Sequence, residues 1–182
     1  MSDASAEPAL PFPDRSSLLA HLEAQGFDIE THDHAAVFTV AESSDLHREM
    51  KGGHTKNLFL RDRKANHFLV TAEQDTPVDL KRLHKVIGGA SRFSFGKPEQ
   101  LLAWLGVTPG SVTALGIAND VGNNVRFVLD ERLLRHEHVN CHPLVNDATT
   151  TIRTADLVAF ARAHGHDPLV ADLTCGALDE AG

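Results

Sequence analysis

Along this chain the spacing of apolar positions switches between a helical period and a strand-like one, and most switches fall at Gly, Pro or a capping residue. Leu18, Leu19 and Leu22 form an apolar stripe behind Asp14, which can cap a helix, and Gly26 stops it; the pattern predicts a helix over 15–25. Residues 27–40 read as short strands broken at His32-Asp33-His34. Thr39 and Glu42 have capping-box spacing and predict a helix to about Met50, closed by Gly52-Gly53. Two β-prone runs, 55–61 and 66–71, flank the turn Asp62-Arg63-Lys64-Ala65 and predict a hairpin. Leu80, Leu83 and Ile87 mark a short helix ended by Gly88-Gly89. Lys97-Pro98-Glu99 opens another through Leu105, with Pro in its first turn. Val112–Ala118 and Val125–Leu129 read as buried strands, and Thr149–Ile152 as a further one. Thr154 then caps a helix to His164, and 168–173 adds a last short strand. Interleaved helices and hairpin-joined strands predict an α/β fold: a single mixed sheet, partly antiparallel and barrel-like, with flanking helices. Residues 1–13, rich in Ala, Ser, Pro and Glu, are expected to form a flexible tail, with one domain over 14–182.

Composition fits that picture and narrows it. With 182 residues, 42% of them apolar, the chain can bury a real core. It has no apolar run near the length of a membrane span, and its first residues lack the basic segment of a secretory signal. Two cysteines, Cys141 and Cys175, cannot make a disulfide framework, so a reducing, cytoplasmic setting is expected. The net charge of −8 argues against a general polyanion binder. Its distribution changes that inference. Between Arg48 and Lys97 stand eleven basic and five acidic residues, a surplus of six, so the remainder carries −14. Such asymmetry points to a polyanion-facing surface on an otherwise acidic protein.

Candidate chemistry is sparse. His136-Glu137-His138-Val139-Asn140-Cys141-His142 has the residue types of a zinc site but none of the diagnostic spacings, so no metal and no cofactor are expected. On a strand, Cys141 and His142 would point to opposite faces, which disfavours a nucleophile–base pair. Elbow, dinucleotide and P-loop motifs are all absent. His32/His34 and His164/His166 flank turns and are expected to be solvated. Lys56 and Asn57, at the start of a strand after a Gly-Gly turn, could present a cation to a phosphate or carboxylate. The turn Gly106-Val107-Thr108-Pro109-Gly110-Ser111-Val112 could turn free N–H groups toward an oxyanion.

Three runs carry a resemblance. Lys51-Gly52-Gly53-His54-Thr55-Lys56-Asn57-Leu58-Phe59-Leu60, the 106–113 turn, and Cys141-His142-Pro143-Leu144-Val145-Asn146 occur in this order. Together they resemble the YbaK/prolyl-tRNA-synthetase-associated editing domains, in particular the free-standing ProXp-ala (PrdX) type, over residues 15–172. The resemblance implies a metal-free, cofactor-free deacylase that hydrolyses the ester of alanine mischarged onto proline tRNA. Water would attack, assisted by the substrate's ribose hydroxyl. Lys56 and His142 are its implied catalytic residues, Lys56 by holding the terminal nucleotide's phosphate. Asn57, Gly110, Ser111 and Asn146 would lie at the aminoacyl end, and Lys51 and Arg92 would contact tRNA. The expected partner is the acceptor end of tRNA(Pro), with prolyl-tRNA synthetase or an elongation factor as a candidate protein partner and no membrane. The competing expectation is a non-catalytic tRNA- or synthetase-binding module of the same fold. A hydrolase of small free esters or amides, which would lack salt-dependent RNA binding, is the third.

Overall fold

The computed structural model describes residues 9–36 and 49–176. The predicted 39–50 helix lies almost wholly outside them. Asp14 opens α1 (Arg15–Ala24) as expected: its side chain accepts the Ser17 N–H at 2.8 Å, and Leu18 and Leu22 are fully buried. β1 (Ile29–Asp33) runs straight through His32-Asp33, because its partner strand pairs with it to the end. β2 (Gly53–Arg61) and β3 (His67–Glu73) form the predicted hairpin, followed by α2 (Leu83–Ile87), β4 (Ser94–Phe95) and α3 (Pro98–Leu105). β5 (Val125–Asp130), β6 (His138–Cys141), β7 (Ala148–Arg153), α4 (Thr154–Ala163) and β8 (Leu169–Ala171) complete the order.

These strands make one mixed sheet in the order β1-β7-β6-β2-β3-β5-β8, with β4 added to β2. The β2–β6, β3–β5 and β5–β8 pairs are parallel and the others antiparallel. Alternation along the strands divides the core in two. Phe59, Leu69, Leu129, Val139 and Cys141 pack with α1, α3 and α4 on one face. Leu60, Phe68, Val70 and Ala72 pack with Leu83 and Ile87 of α2 on the other.

Four expectations are corrected. Residues 114–119 form a 3₁₀ helix rather than a strand, all six of them buried. Asn119 explains it: its side-chain amide donates to the carbonyls of Phe12 and Leu105 at 2.9 and 3.1 Å and accepts the Phe12 N–H at 2.8 Å. The same bonds put Phe12, 7% exposed, in the core, so the chain is anchored before residue 14. Thr154 begins α4 but does not cap it; its hydroxyl donates to the His136 carbonyl at 2.6 Å. His166 is buried and bonded to the Asp120 carbonyl at 2.8 Å, not solvated.

The β2–β3 turn is tied down by Asp62. Its carboxylate accepts the N–H groups of Lys64, Asn66 and Ala90 and the Asn66 side-chain amide, at 2.8–3.0 Å. Arg63 N–H donates to Ser91 Oγ at 3.0 Å, so the hairpin and the loop carrying Arg92 move as one piece. Burial works against the charge, yet these donors hold the Asp62 pKa down to about 2 from an ordinary 3.8. A depressed carboxylate pKa supplies stability that is complete above pH 4 and is lost as pH falls toward 2. Asp62→Ala is therefore expected to cost about 1–3 kcal/mol in urea unfolding at pH 7 by leaving four donors without their carboxylate. The gap to wild type should narrow as pH drops below 4; a gap that is constant with pH would refute the assignment.

Candidate active site

One strand organises the site. β2 pairs with β6 only through Gly53 and His54, and with β4 only through Leu60 and Arg61. Among the described residues, 55–59 have no strand neighbour on that edge. The gap is closed at its ends by side-chain and loop bonds: Thr55 Oγ1 donates to the Asn140 carbonyl at 2.7 Å, and Gly96 N–H to the Phe59 carbonyl at 2.9 Å. A strand residue's N–H and C=O point to the same edge, so those of Asn57, two residues before Phe59, also face the gap. Gly52-Gly53 lets β2 reach β6 this closely. A Cβ on Gly52 would sit 2.5 Å from the His138 carbonyl oxygen, and one on Gly53 2.6 Å from the His136 ring.

On the first face the gap opens into a cavity of about 370 Å³. Asn57, Phe59, Phe95, Pro109, Gly110 and Val112 are among its walls. Thr71 Oγ1 donates to Asn57 Oδ1 at 2.7 Å, which fixes that amide. Gly110 has a φ of 93°, the left-handed value its turn requires. Ser111 is buried, and its N–H donates back to the Thr108 carbonyl at 3.0 Å. That amide is spent inside the turn, whereas the N–H of Asn57 faces the gap.

Lys56 points to the opposite face. It is the fourth residue of β2, deeper in the strand than its sequence position after Gly-Gly implied. Its ammonium donates to the Thr76 carbonyl. Burial lowers its pKa, while the carboxylates of Asp75 and Asp130 work to raise it. His142 directly follows β6. Lys56 and His142 are each two residues past the last paired position, His54 opposite Asn140, so the register puts both on the same face beside the cleft where β2 and β6 stop pairing. His142 Nδ1 donates to the Ala148 carbonyl at 3.0 Å, which leaves Nε2 with a lone pair in the neutral ring. Burial holds the His142 pKa below the ordinary 6.5; the Ala148 carbonyl opposes this and His34, its ring 6.5 Å away, adds to it. His34 is itself fixed by Thr149 Oγ1 at 2.8 Å and the Ala35 carbonyl at 2.7 Å.

The remaining candidates divide. Asn146 is half-buried in the β6–β7 loop, and Lys51 is exposed, its carbonyl accepting from Asn140 Nδ2 at 2.9 Å. Arg92 is exposed beside a depression of about 410 Å³ that it shares with Lys81, Arg82, His84, Lys85 and Asp79. Residues the sequence did not flag are Asn140, whose side chain also accepts from Thr151 Oγ1 at 2.6 Å, and Thr76. Nothing short of the strand register would have exposed them. The histidine cluster resolves differently from a metal site. β6 begins only at His138, and His136 bonds Glu73 Oε1 at 2.6 Å. No group of three or more His, Cys, Asp or Glu that could hold a metal comes together among the described residues. Cys141 is buried, and burial pushes its thiol up to about 12, so it is no nucleophile at neutral pH. None of the helices among the described residues is long and apolar enough to cross a membrane.

This geometry can be set beside known proteins. The family model for the aminoacyl-tRNA editing domain matches residues 34–160. A mouse protein, prolyl-tRNA synthetase associated domain-containing protein 1, is 38% identical over 160 residues, 86% of this chain and 94% of its own. The prolyl-tRNA editing protein ProX of Acetoanaerobium sticklandii is 33% identical over 153 residues, covering 84% and 93%. A solved structure described as a proposed trans-editing enzyme for prolyl tRNA synthetase shares the fold, with a TM-score of 0.66 and 20% identity over 88% of this chain and 98% of that one. With its three motifs on one branched strand and its neighbours, the chain belongs to the aminoacyl-tRNA editing domain family.

Proposed function

We propose that this chain is a trans-editing deacylase that hydrolyses the aminoacyl ester of mischarged Ala-tRNA(Pro). The observation that carries the reading is the interval of β2 between its pairings with β6 and β4. The register puts Lys56 and a neutral His142 on one face at one end of it, and a small-walled cavity lined by Asn57 lies along it. An aminoacyl ester is already activated, so orientation and oxyanion stabilisation suffice without a protein nucleophile. Lys56 would hold the phosphate of the terminal nucleotide. The Asn57 N–H would stabilise the tetrahedral oxyanion as water attacks with help from the substrate's vicinal ribose hydroxyl. The Nε2 lone pair of His142 would accept a hydrogen bond from water or that hydroxyl. Leu58, Leu101, Pro109 and Val112 would exclude larger aminoacyl groups by size, because one methylene changes attraction by only ~1–3 kcal/mol. Asn146 would close the aminoacyl end from the β6–β7 loop, and Lys51 and Arg92 would meet the acceptor strand. Prolyl-tRNA synthetase or an elongation factor would deliver the substrate, and the proposed site of action is the cytoplasm.

Single-turnover deacylation of Ala-tRNA(Pro) tests this. Lys56→Ala is expected to lower the rate by about 10²-fold or more with unchanged circular dichroism. Full activity in that variant would remove Lys56 from the mechanism, and tRNA binding without turnover in the wild type would favour the non-catalytic module. EDTA dialysis is expected to leave the rate unchanged; loss restored by zinc would return the histidine cluster to consideration. A lowered His142 pKa means the ring stays neutral, and Nε2 available, until the pH is below 6.5. The rate, corrected for spontaneous hydrolysis, should therefore show no acid-side fall as pH drops through 6.5.

A further inference from the structure

Lys56 is held by a buried chain of groups that the mechanism above does not use. The lysine carries three N–H donors. One goes to the carbonyl of Thr76, a residue with no exposed surface. Thr76 Oγ1 in turn donates to Asp130 Oδ2, and Asp130 is also wholly buried. The same carboxylate accepts the Glu73 N–H and the Arg132 N–H, each at 3.1 Å. Thr76 N–H closes a turn onto the Glu73 carbonyl at 3.0 Å. Asp130 thus fixes both ends of the 73–76 turn, whose last carbonyl meets the ammonium.

We propose that Asp130 and Thr76 are positioning residues for Lys56: together they take one ammonium donor and leave the other two aimed into the β2–β6 cleft. A buried carboxylate is costly unless its oxygens are bonded, and three protein donors on Asp130 meet that requirement. The charges around Lys56 come from several elements. Asp75 in the turn and Asp130 at the end of β5 favour the ammonium. Arg132 opposes it, its guanidinium 3.4 Å from Thr76 Oγ1 and paired with Glu73 at 3.1 Å. Glu73 also bonds His136. An ammonium left to solvation alone would sweep a wide arc on its four-carbon stem, so the Thr76 carbonyl gives the cation a direction.

This rests on the reading of Lys56 as the substrate-holding cation, and the test separates the two. The Lys56 pKa is measured in the free protein from its ¹³Cε resonance, assigned with Lys56→Arg, alongside single-turnover rates on Ala-tRNA(Pro) across pH. Asp130→Asn is expected to lower the Lys56 pKa by about one unit, shift the alkaline limb of the rate with it, and reduce the rate about tenfold. Thr76→Ser, which keeps the hydroxyl, should stay within about threefold of wild type, and Thr76→Val should lose about tenfold. A rate that falls in Asp130→Asn with the Lys56 pKa and the limb unmoved would mean a merely structural role and overturn the proposal. Thr76→Val at full rate would do the same. Should Asp130→Asn not fold, the Thr76 pair decides alone. Full activity in Lys56→Ala would instead sink the functional reading, while the resonance would still report the coupling.

Discussion

A β-strand can have two neighbours, and β2 uses three without completing either edge. Most of its length pairs with β3, but its other edge is shared between β6 at Gly53–His54 and β4 at Leu60–Arg61. Between these pairings Asn57 turns its N–H and C=O to the gap, while Lys56 and Leu58 turn theirs to β3. The cavity, Lys56 and Asn57 lie along this interval. Parallel pairing between β2 and β6 matters as much as the gap. It makes the two strands leave their contact in the same direction, so that residues at matching positions beyond it fall on the same face.

The pleat then sorts the chemistry. Asn57 belongs with Phe59 and the first core face, and Lys56 with the opposite side, so consecutive residues serve two compartments. A one-residue slip of β2 against β3 would exchange them. Seven consecutive paired positions between the strands, and the Asp62 network at the turn, oppose such a slip. In the proposed reading a phosphate and an aminoacyl ester, joined through one ribose, need contacts that differ in charge and polarity. A strand edge with alternating faces supplies both within two residues.

Much of this is legible in the amino-acid order alone. The hairpin, α1, α3 and the three motif-bearing runs are written in period, caps and turn residues. What escapes such a reading is tertiary. An apolar run at 112–118 reads as a strand until the buried amide of Asn119 binds Phe12 and Leu105 and favours a tight 3₁₀ turn. Phe12 looks like part of a polar tail because its neighbours are small and acidic, yet its ring meets Phe160 and His164. Lys56 stands out by its resemblance to a family motif, whereas Thr76 and Asp130, twenty and seventy-four positions away, have no local signal. Long-range partners of a buried charge become visible only when the register is known.

The charge distribution shows the same limit from the other side. A net −8 describes how the molecule repels polyanions at a distance, an effect screened out within roughly 8–10 Å at physiological salt. At contact, what counts is which cations are held in place together. Asp62 joins the hairpin turn to the loop after α2, and Lys81, Lys85 and Arg92 border one depression nearby. A buried carboxylate thereby organises a cationic surface, just as Asp130 anchors the turn that meets the cation in the cleft. Acidic residues in this fold are therefore not simply a counterweight to its basic ones. Where they are buried and fully bonded, they determine where the cations stand. In the proposed reading an acidic body bearing two anchored cationic sites would admit the end of an RNA strand while repelling its length.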